Sequence, residues 1–516
     1  LLVPLLLHLE PAASARLTQP GDCVGRVGGL DLQTATIAEL RTALASGRLT
    51  SEELVDAYLD RINAYDPKLN SMRHLNPHAL DEARRMDALR AAGKAHGALF
   101  GIPILLKDNV NTKDMPTTAG SQALRGSIPL NDAVITKKLE GAGAIVLGKL
   151  NLSEFAGWVD LRMPPGYSSL GGQVVNPYNY GDPSGSSAGS GVAATMAFAA
   201  ATIGTETSGS ILSPSNANSA VGIKPTTGLA SRRGILPLAP SFDTPGPIVR
   251  NVSDAAAILS AIAGVDKKDP RTLDAKGQMP PHHDYTRFLD DGALKGARIG
   301  YSEQDREDLN SEERAVFDRA LKDLKREGAT LVTTDTHYWS EWVGLVEIAA
   351  VPNEFKTSLN EYLAEQTKKS LRVHTLGEIV QYNEGHPKKM KYGQTLLQGS
   401  DATLGNMDEP TAIANRTAAI EGARLAIDTT LAADELDAIA APGPTYANLS
   451  ASAGYPTVIV PAGYTNGGRD PLGLSFLASA FDEPQLISFA FDYEQASQRR
   501  VPPTEANPDL LDKGCG

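Results

Sequence analysis

The amino-terminal part of the chain carries the spacing of apolar positions that is typical of amphipathic helices. A helix is predicted for IAELRTALASG, which follows Thr36 and ends at a glycine, and a second for LVDAYLDRINAY, which opens with the capping-box residues TSEE at 50–53. Pro67 is expected to end the second helix, and a third helix is predicted over 79–92. These helices are expected to pack outside a sheet.

Farther along, short apolar runs bounded by turn-forming or polar residues predict buried strands. Helical patterns over 133–139 and 311–328 separate several of these runs. The alternation predicts an α/β fold with a mixed, largely parallel central sheet that helices cover on both faces. The predicted strands are the run that ends at Lys107 and residues 144–147, 297–301, 330–332, 438–442 and 457–461.

A single catalytic domain over 16–516 is predicted, because large α/β enzymes exceed the usual domain length. Residues 264–291, rich in Asp, Lys, Pro and His, predict a surface excursion. Residues from about 340 to 430 are mostly helical in pattern, with loops near Pro387 and over 399–410. This insertion either shapes a substrate entrance or forms a plain structural layer.

Charge and cysteine content exclude several classes of function. The formal net charge of −13 opposes non-specific binding to nucleic acid or anionic lipid. The two cysteines, Cys23 and Cys515, are too few for a metal site built on thiolates, and we predict neither a metal nor a cofactor. These cysteines either form an end-to-end disulfide or remain two free thiols.

Residues 1–15 predict a truncated signal peptide. LLVPLLL has the composition of the apolar segment, and AASA at 12–15 that of a cleavage site, although the basic segment is missing. The alternative is a disordered or cloning-derived tail. A signal peptide implies export to the periplasm or the medium, and without it the protein is expected in the cytoplasm. The run is too short to span a bilayer.

Glycine, serine and threonine crowd the stretch 181–228 without the repetition of a linker. The apolar run VAATMAFAAATI lies between two such clusters, as a buried helix or strand would, so the clusters are the ends of packed elements. Glycine permits close approach of the backbone, and serine supplies hydroxyl groups. Together they can form a rigid pocket of N–H donors beside candidate nucleophiles. The stretch therefore predicts a catalytic site.

The sequence offers more than one serine and more than one base. Residues 185–189 fit G-x-S-x-G with Ser187 at the centre, but turn formers and not a strand precede them, so this match is interpreted as accidental. All nine histidines lie outside the stretch 181–228, which does not forbid a Ser-His-Asp site. Lys107, at the end of an apolar strand, is the alternative base because desolvation would leave part of it neutral.

Four segments, GIPILLKDN, GSSAGSG, GTETSGSI and GIKPTTG, resemble in order and separation the amidase signature family, whose catalytic group is a Ser-Ser-Lys triad. The resemblance extends to ELVDAYLDRINAYDPKLNSM, GYPTVIVPAG and FDYEQ, and its signature core covers about 95–265. It implies that Lys107 is the base, that Ser186 is the bridging serine behind a cis peptide bond, and that Ser210 is the nucleophile. The backbone N–H groups of the loop before and at the nucleophile are then expected to bind the oxyanion; they belong to Thr207, Ser208, Gly209 and Ser210.

Three positions depart from the family pattern. Leu212 stands where many relatives have an arginine, and this change favours a neutral or apolar substrate. Ala188 and Ser219 replace glycines, and we expect their side chains to alter the shape of the pocket.

Residues 143–150 nearly fit a P-loop but lack its Ser/Thr, so no nucleotide is implied.

The predicted function is that of an amidohydrolase acting through a serine acyl-enzyme on a small-molecule or peptide amide, such as a peptide C-terminal amide. Peptide amidases are the members of the family that the chain resembles most. The alternatives are an amidotransferase component of the A type, which needs partner chains, and a broad aryl or fatty amide hydrolase with esterase activity.

Overall fold

The computed structural model describes residues 25–334, 337–368 and 370–510. The predicted signal peptide at 1–15 and both cysteines, Cys23 and Cys515, lie outside the described residues. Within these ranges, no helix is long and apolar enough to cross a bilayer.

The strands of the described residues form one large sheet and two small hairpins. In chain order the strands are β1 Arg26–Val27, β2 Leu30–Asp31, β3 Met72–Leu75, β4 Pro103–Lys107, β5 Ile145–Leu150, β6 Tyr167–Ser168, β7 Gly172–Gln173, β8 Ala201–Glu206, β9 Val221–Lys224, β10 Thr244–Val249, β11 Arg298–Ser302, β12 Thr330–Thr334, β13 Ala438–Pro442, β14 Thr457–Thr465 and β15 Asp470–Leu477.

The large sheet has the order β12-β11-β13-β15-β14-β9-β10-β8-β4-β5-β3. The mixed character of the sheet is confirmed, but the prediction that it is largely parallel is wrong in that detail. Among the described strands, four pairings are parallel and six are antiparallel. Parallel pairing needs a crossover connection, and helices supply one only around β4, β5 and β8 and around β11, β12 and β13. The strands in the middle of the sheet pair antiparallel.

The described residues also contain sixteen α-helices. They are α1 Ile37–Ala45, α2 Ser51–Leu69, α3 Ala79–Ala91, α4 Val134–Gly141, α5 Ala188–Thr195, α6 Leu212–Ala217, α7 Val252–Ile262, α8 Glu303–Asp308, α9 Ser311–Arg326, α10 His337–Gln366, α11 Leu376–Glu384, α12 Thr395–Asp401, α13 Pro410–Ala433, α14 Ala447–Ala453, α15 Glu483–Ser497 and α16 Pro503–Ala506.

Two helix ends differ from their predictions. Helix α2 does begin with a capping box between Thr50 and Glu53, but it continues through Pro67 to Leu69 and is capped by Asn70, which adopts a left-handed conformation. Pro67 lacks an N–H and so removes one helical hydrogen bond, and the helix ends two residues after it. The loop predicted from 399 begins only after α12, which includes Gly399.

Helices cover the central strands on both faces. One face of the sheet meets α5 and α6: a Cβ atom at Gly204 would press tightly on Ser187, which precedes α5, and a Cβ atom at Gly222 would clash with Ser215 of α6. On the opposite face, Val221 and Val249 belong to the main apolar core, which also contains the buried residues of α7. The sheet is thus buried on both sides, as the predicted α/β architecture requires.

The helical insertion packs directly on the signature core. Phe355 of α10 makes an edge contact with Phe155, with ring centroids 5.8 Å apart. The Trp158 indole donates to Ser400 Oγ at 2.9 Å, and Thr395 N donates to the Asp160 carboxylate at 3.0 Å. These contacts hold α10 and α12 against the loop that follows β5, close to the predicted catalytic residues.

Candidate active site

The order of strands in the sheet brings the predicted catalytic residues to one edge. Strands β4 and β8 are parallel neighbours, with Leu106 opposite Ile203, so their carboxyl ends lie side by side. Lys107 is the last residue of β4, and Ser210 lies in the turn that follows β8. Ser186 reaches the same edge from the loop before α5.

Lys107, Ser186 and Ser210 form a continuous chain of polar atoms. Lys107 Nζ lies 2.8 Å from Ser186 Oγ, which lies 2.9 Å from Ser210 Oγ. The Ser186 N–H also donates to Ser210 Oγ at 3.1 Å, and the Gly185–Ser186 peptide bond is cis. Ser210 is 7% exposed. A proton can therefore pass from Ser210 through Ser186 to the lysine, while Ser210 remains within reach of a small ligand.

Lys107 is fully buried, and its surroundings favour the neutral amine. Burial lowers the pKa of Lys107 to about 7, although the carboxyl groups of Asp243 and Glu206 oppose this shift. Its remaining contacts are to Thr205, whose carbonyl oxygen and Oγ1 lie 3.2 and 3.0 Å from Nζ. These neutral oxygens orient the amine without fixing a charge on it. Near neutral pH, a large share of the lysine can thus accept a proton.

Ser187, the central serine of the G-x-S-x-G match, has a structural position. It is fully buried; its hydroxyl donates to the Thr205 carbonyl at 3.1 Å and accepts from the Thr205 N–H at 3.3 Å. A loop and not a strand precedes it, and α5 begins at the next residue. The side chain joins the loop of Ser186 to strand β8.

The predicted oxyanion donors lie in the turn between β8 and α6. Gly209 occupies a left-handed conformation, with φ of 76°, that a glycine adopts without strain. Its N–H is directed to the Glu206 carboxyl group, which also receives the N–H groups of the two residues after Ser210. The predicted set of oxyanion donors, Thr207, Ser208, Gly209 and Ser210, stays a prediction, and the Glu206 acceptor of the Gly209 N–H favours the other three.

A cavity of about 370 Å³ opens beside the site. Thr205 and Thr207 contribute to its wall, as does Asp243, which accepts from Thr207 Oγ1 at 2.5 Å and from the N–H groups of Leu238 and Ala239. Side chains from α10 also line this cavity; they are Ser358, Glu361, Tyr362, Glu365 and Gln366. That the insertion shapes a substrate entrance stays a prediction.

The three departures from the family pattern do not line this cavity. Leu212 is fully buried against Ala447 and Ile459, Ala188 is fully buried, and the Ser219 hydroxyl lies 2.7 Å from the Tyr464 hydroxyl. Each packs into the interior. The expectations that Ala188 and Ser219 alter the pocket and that Leu212 favours a neutral or apolar substrate stay predictions.

Sequence reasoning missed Thr205, Glu206 and Asp243. Glu206 had a detectable signal, since it is an acidic residue in an otherwise uncharged, buried segment four residues before Ser210. Asp243 is likewise the lone acid between the basic pair 232–233 and Arg250. Their proximity to Lys107 arises only when β8 and the loop before β10 come together. No group of described residues has the composition and spacing of a metal site.

Lys149, from the segment that nearly fits a P-loop, lies inside strand β5 and forms a buried ion pair. Its Nζ is 3.5 Å from Asp108 Oδ1, and both side chains are fully buried. Burial raises the pKa of the Asp108 carboxyl and lowers that of Lys149 to about 8. Thr118 Oγ1 donates to the other Asp108 oxygen. The pair fixes the strand that lies beside β4.

Replacing Lys149 by methionine is expected to lower the free energy of unfolding by about 3–5 kcal/mol, because it leaves the Asp108 carboxyl buried without its cation. Denaturant unfolding at pH 7.5 measures this loss. The double variant Lys149→Met, Asp108→Asn is expected to recover part of it, since the two changes are coupled. A single variant within about 1 kcal/mol of the parent would show that the pair does not hold the fold.

The chain matches the family described as Amidase over residues 53–487. It is 40% identical over 484 residues to a probable amidase of Arabidopsis thaliana, covering 92% of each chain. It is 33% identical over 502 residues to the A component of the glutamyl-tRNA(Gln) amidotransferase of a Synechococcus strain, covering 91% of this chain and 98% of that one.

Solved structures agree with the sequence relatives. The native peptide amidase of Stenotrophomonas maltophilia matches the described fold with a TM-score of 0.83 and 40% sequence identity, covering 91% of this chain and 98% of that one. The predicted α/β architecture, with a mixed sheet enclosed by helices, is confirmed by this likeness.

Proposed function

The chain belongs to the amidase signature family and is an amide-hydrolysing enzyme; from this premise we propose that it cleaves amides through an acyl-enzyme on Ser210. The observation that carries the proposal is the unbroken chain from Lys107 Nζ to Ser186 Oγ to Ser210 Oγ, with steps of 2.8 and 2.9 Å. Each distance suits direct proton transfer.

In the first half of the reaction, neutral Lys107 accepts a proton from Ser186 as Ser186 accepts one from Ser210. The Ser210 oxygen attacks the amide carbonyl carbon, and the N–H groups of Thr207, Ser208 and Ser210 are the candidates to stabilise the resulting oxyanion. When the tetrahedral intermediate collapses, the C–N bond breaks and the proton returns through Ser186 to the departing nitrogen. Ammonia or an amine leaves, and the acyl group remains on Ser210.

In the second half, water takes the place of the leaving group. Its proton passes through Ser186 to Lys107 as the water oxygen attacks the acyl carbon. The ester bond to Ser210 then breaks, and the proton returns through Ser186 to the Ser210 oxygen. The same residues thus serve both halves. The released carboxylic acid carries the oxygen of the water.

We further propose that the substrate is the C-terminal amide of a peptide. The likeness to a peptide amidase over almost the whole chain supports this class. The cavity supports it as well, because Leu236, Leu238 and Pro240 form an apolar wall and Arg233 and Glu361 also line it. Such a mixed lining suits a peptide, with its apolar side chains and polar backbone, better than a purely aliphatic chain.

The purified chain alone is expected to release ammonia from short peptide amides faster than from aryl or fatty amides, because the cavity offers polar partners for a peptide backbone. An ammonia assay over matched peptide, aryl and fatty amides, with gel filtration of the same sample, measures this. Activity that appears only after partner chains are added would favour the amidotransferase alternative. A preference for fatty or aryl amides would contradict the peptide proposal and leave the acyl-enzyme intact.

A further inference from the structure

Glu206 is a buried acid that the reaction described above does not use. It is the last residue of β8, is 1% exposed, and lies four residues before Ser210. An acid in such a place needs partners, since burial alone penalises a carboxyl group. Its partners are found in the turn that carries the nucleophile.

The Glu206 carboxyl group accepts hydrogen bonds from several N–H groups of that turn. Glu206 Oε2 accepts from Ile211 N at 2.6 Å and from Leu212 N at 3.0 Å, and the Gly209 N–H adds a further hydrogen bond to the carboxyl group. These donors flank Ser210 on both sides. A turn of consecutive residues therefore closes around a single acceptor, with the Ser210 hydroxyl and its N–H between the fixed points.

The other carboxyl oxygen, Oε1, is buried and has no hydrogen-bond partner among the described atoms. The charged groups that bear on this part of the site are Lys107 of β4, Lys224 of β9 and Asp243 of the loop before β10. Burial raises the pKa of the Glu206 carboxyl, against the effect of the Lys224 cation and the N–H donors. Glu206 Oε2 can accept the N–H groups of the turn whether the carboxyl group is charged or neutral.

We infer that Glu206 is a positioning residue. It holds the β8–α6 turn so that Ser210 Oγ stays within hydrogen-bond distance of Ser186 Oγ and the N–H groups that bind the oxyanion face the substrate. This inference rests on the proposed function of Ser210. Without the acceptor, the buried N–H groups of the turn must find other partners, and the turn rearranges. Displacement of a nucleophile by even a fraction of its contact distance lowers the rate of attack strongly.

The test compares Glu206→Met, which removes the acceptor at similar size, with Glu206→Gln, which keeps one oxygen acceptor. Glu483→Met and Glu483→Gln are matched controls: Glu483 is equally buried, receives the Thr226 N–H at 2.6 Å, and has a second oxygen without a partner among the described atoms. All variants are compared by circular dichroism and thermal melting, so that folded protein is used throughout.

The first readout is steady-state turnover of a peptide amide. Glu206→Met is expected to lower kcat at least 100-fold with KM changed less than threefold, and Glu206→Gln is expected to restore kcat to within about tenfold of the parent. The Glu483 variants are expected to keep the parental kcat. Parental kcat in folded Glu206→Met, or equal losses in the Glu206 and Glu483 variants, would overturn the inference.

The second readout is the rate at which phenylmethylsulfonyl fluoride labels Ser210, followed by mass spectrometry of the intact protein and its peptides. The Ser210 oxygen forms a bond to sulfur, the sulfur–fluorine bond breaks, fluoride leaves, and the serine proton passes through Ser186 to Lys107. The rate constant is expected to fall in parallel with kcat. Failure to label Ser210 in the parent would contradict the proposed function, whereas equal rates in parent and Glu206→Met would contradict only the present inference.

If Glu206→Met does not fold, Glu206→Asp takes its place. The shorter side chain keeps the carboxyl group but withdraws the acceptor from the turn by one methylene. The expected result is then at least a tenfold loss of kcat and of the labelling rate. Parental values in Glu206→Asp would overturn the inference.

Discussion

Replacing Ser210 by alanine is expected to abolish amide hydrolysis and to leave the fold unchanged. The hydroxyl is the nucleophile of the proposed acyl-enzyme, and its loss removes the covalent path, so kcat is expected to fall by at least about 10⁴-fold. The fold should tolerate the change because, among the described residues, the hydrogen bonds of the Ser210 hydroxyl group are to Ser186 alone. Ammonia release and thermal melting measure the two effects.

Ser187→Ala is the matched control for this variant. Ser187 lies one residue after Ser186 and is the serine that the G-x-S-x-G pattern would select, but its hydroxyl binds the Thr205 backbone. We expect it to keep activity within about tenfold of the parent and to lose about 1 kcal/mol of stability, the contribution of a typical hydrogen bond. Full activity in Ser210→Ala, or complete loss in Ser187→Ala alone, would identify Ser187 as the nucleophile.

Replacing Lys107 by alanine is expected to remove most of the rate, about 10³-fold or more, because Ser186 then has no proton acceptor. The parent is expected to show an acidic limb. Since the pKa of Lys107 is about 7 and only the neutral amine accepts a proton, the rate rises with pH through this value and levels off above it. Two pH units below the pKa, about 1% of the lysine is neutral, so the rate is about 100-fold below its plateau.

The pH dependence of kcat/KM between pH 5 and pH 9 provides the measurement, and loss of the acidic limb in Lys107→Ala is the decisive feature. Lys138→Ala is the control, because burial also lowers the pKa of Lys138, but this lysine donates to the carbonyl groups of Ile262 and Ala263, away from the serines. It is expected to keep the limb. A Lys107→Ala enzyme with near-parental activity and an intact limb would refute the lysine base and point to a histidine.

The two predictions test different parts of one arrangement. Loss of the nucleophile stops the covalent step at every pH, whereas loss of the base removes the step that makes the rate depend on pH. The Glu206 variants differ from both, because they keep Ser210, Ser186 and Lys107 and change only the turn that presents the nucleophile. Together they separate the roles of nucleophile, base and support.

The sequence by itself determined the elements whose signals are local. The helix that follows Thr36, the helix that opens with the capping box at Thr50 and the strand that ends at Lys107 lie where their patterns predict them. The resemblance of the motifs to the amidase signature family also implied that Lys107, Ser186 and Ser210 belong to one site, and the structure brings them within hydrogen-bond distance. Such features depend on neighbours a few residues apart or on a recurring motif, so they can be read along the chain.

Only the tertiary structure decided features that depend on residues distant in sequence. The direction of the central strands follows from which strands become neighbours, and the interior placement of Leu212 and Ser219 follows from contacts with residues more than 200 positions away. The low pKa of Lys107 and the closure of the turn around Glu206 likewise arise from burial at the edge where β4 and β8 meet. Burial and strand pairing are properties of the packed chain, because desolvation and backbone hydrogen bonding between strands exist only once the sheet has formed.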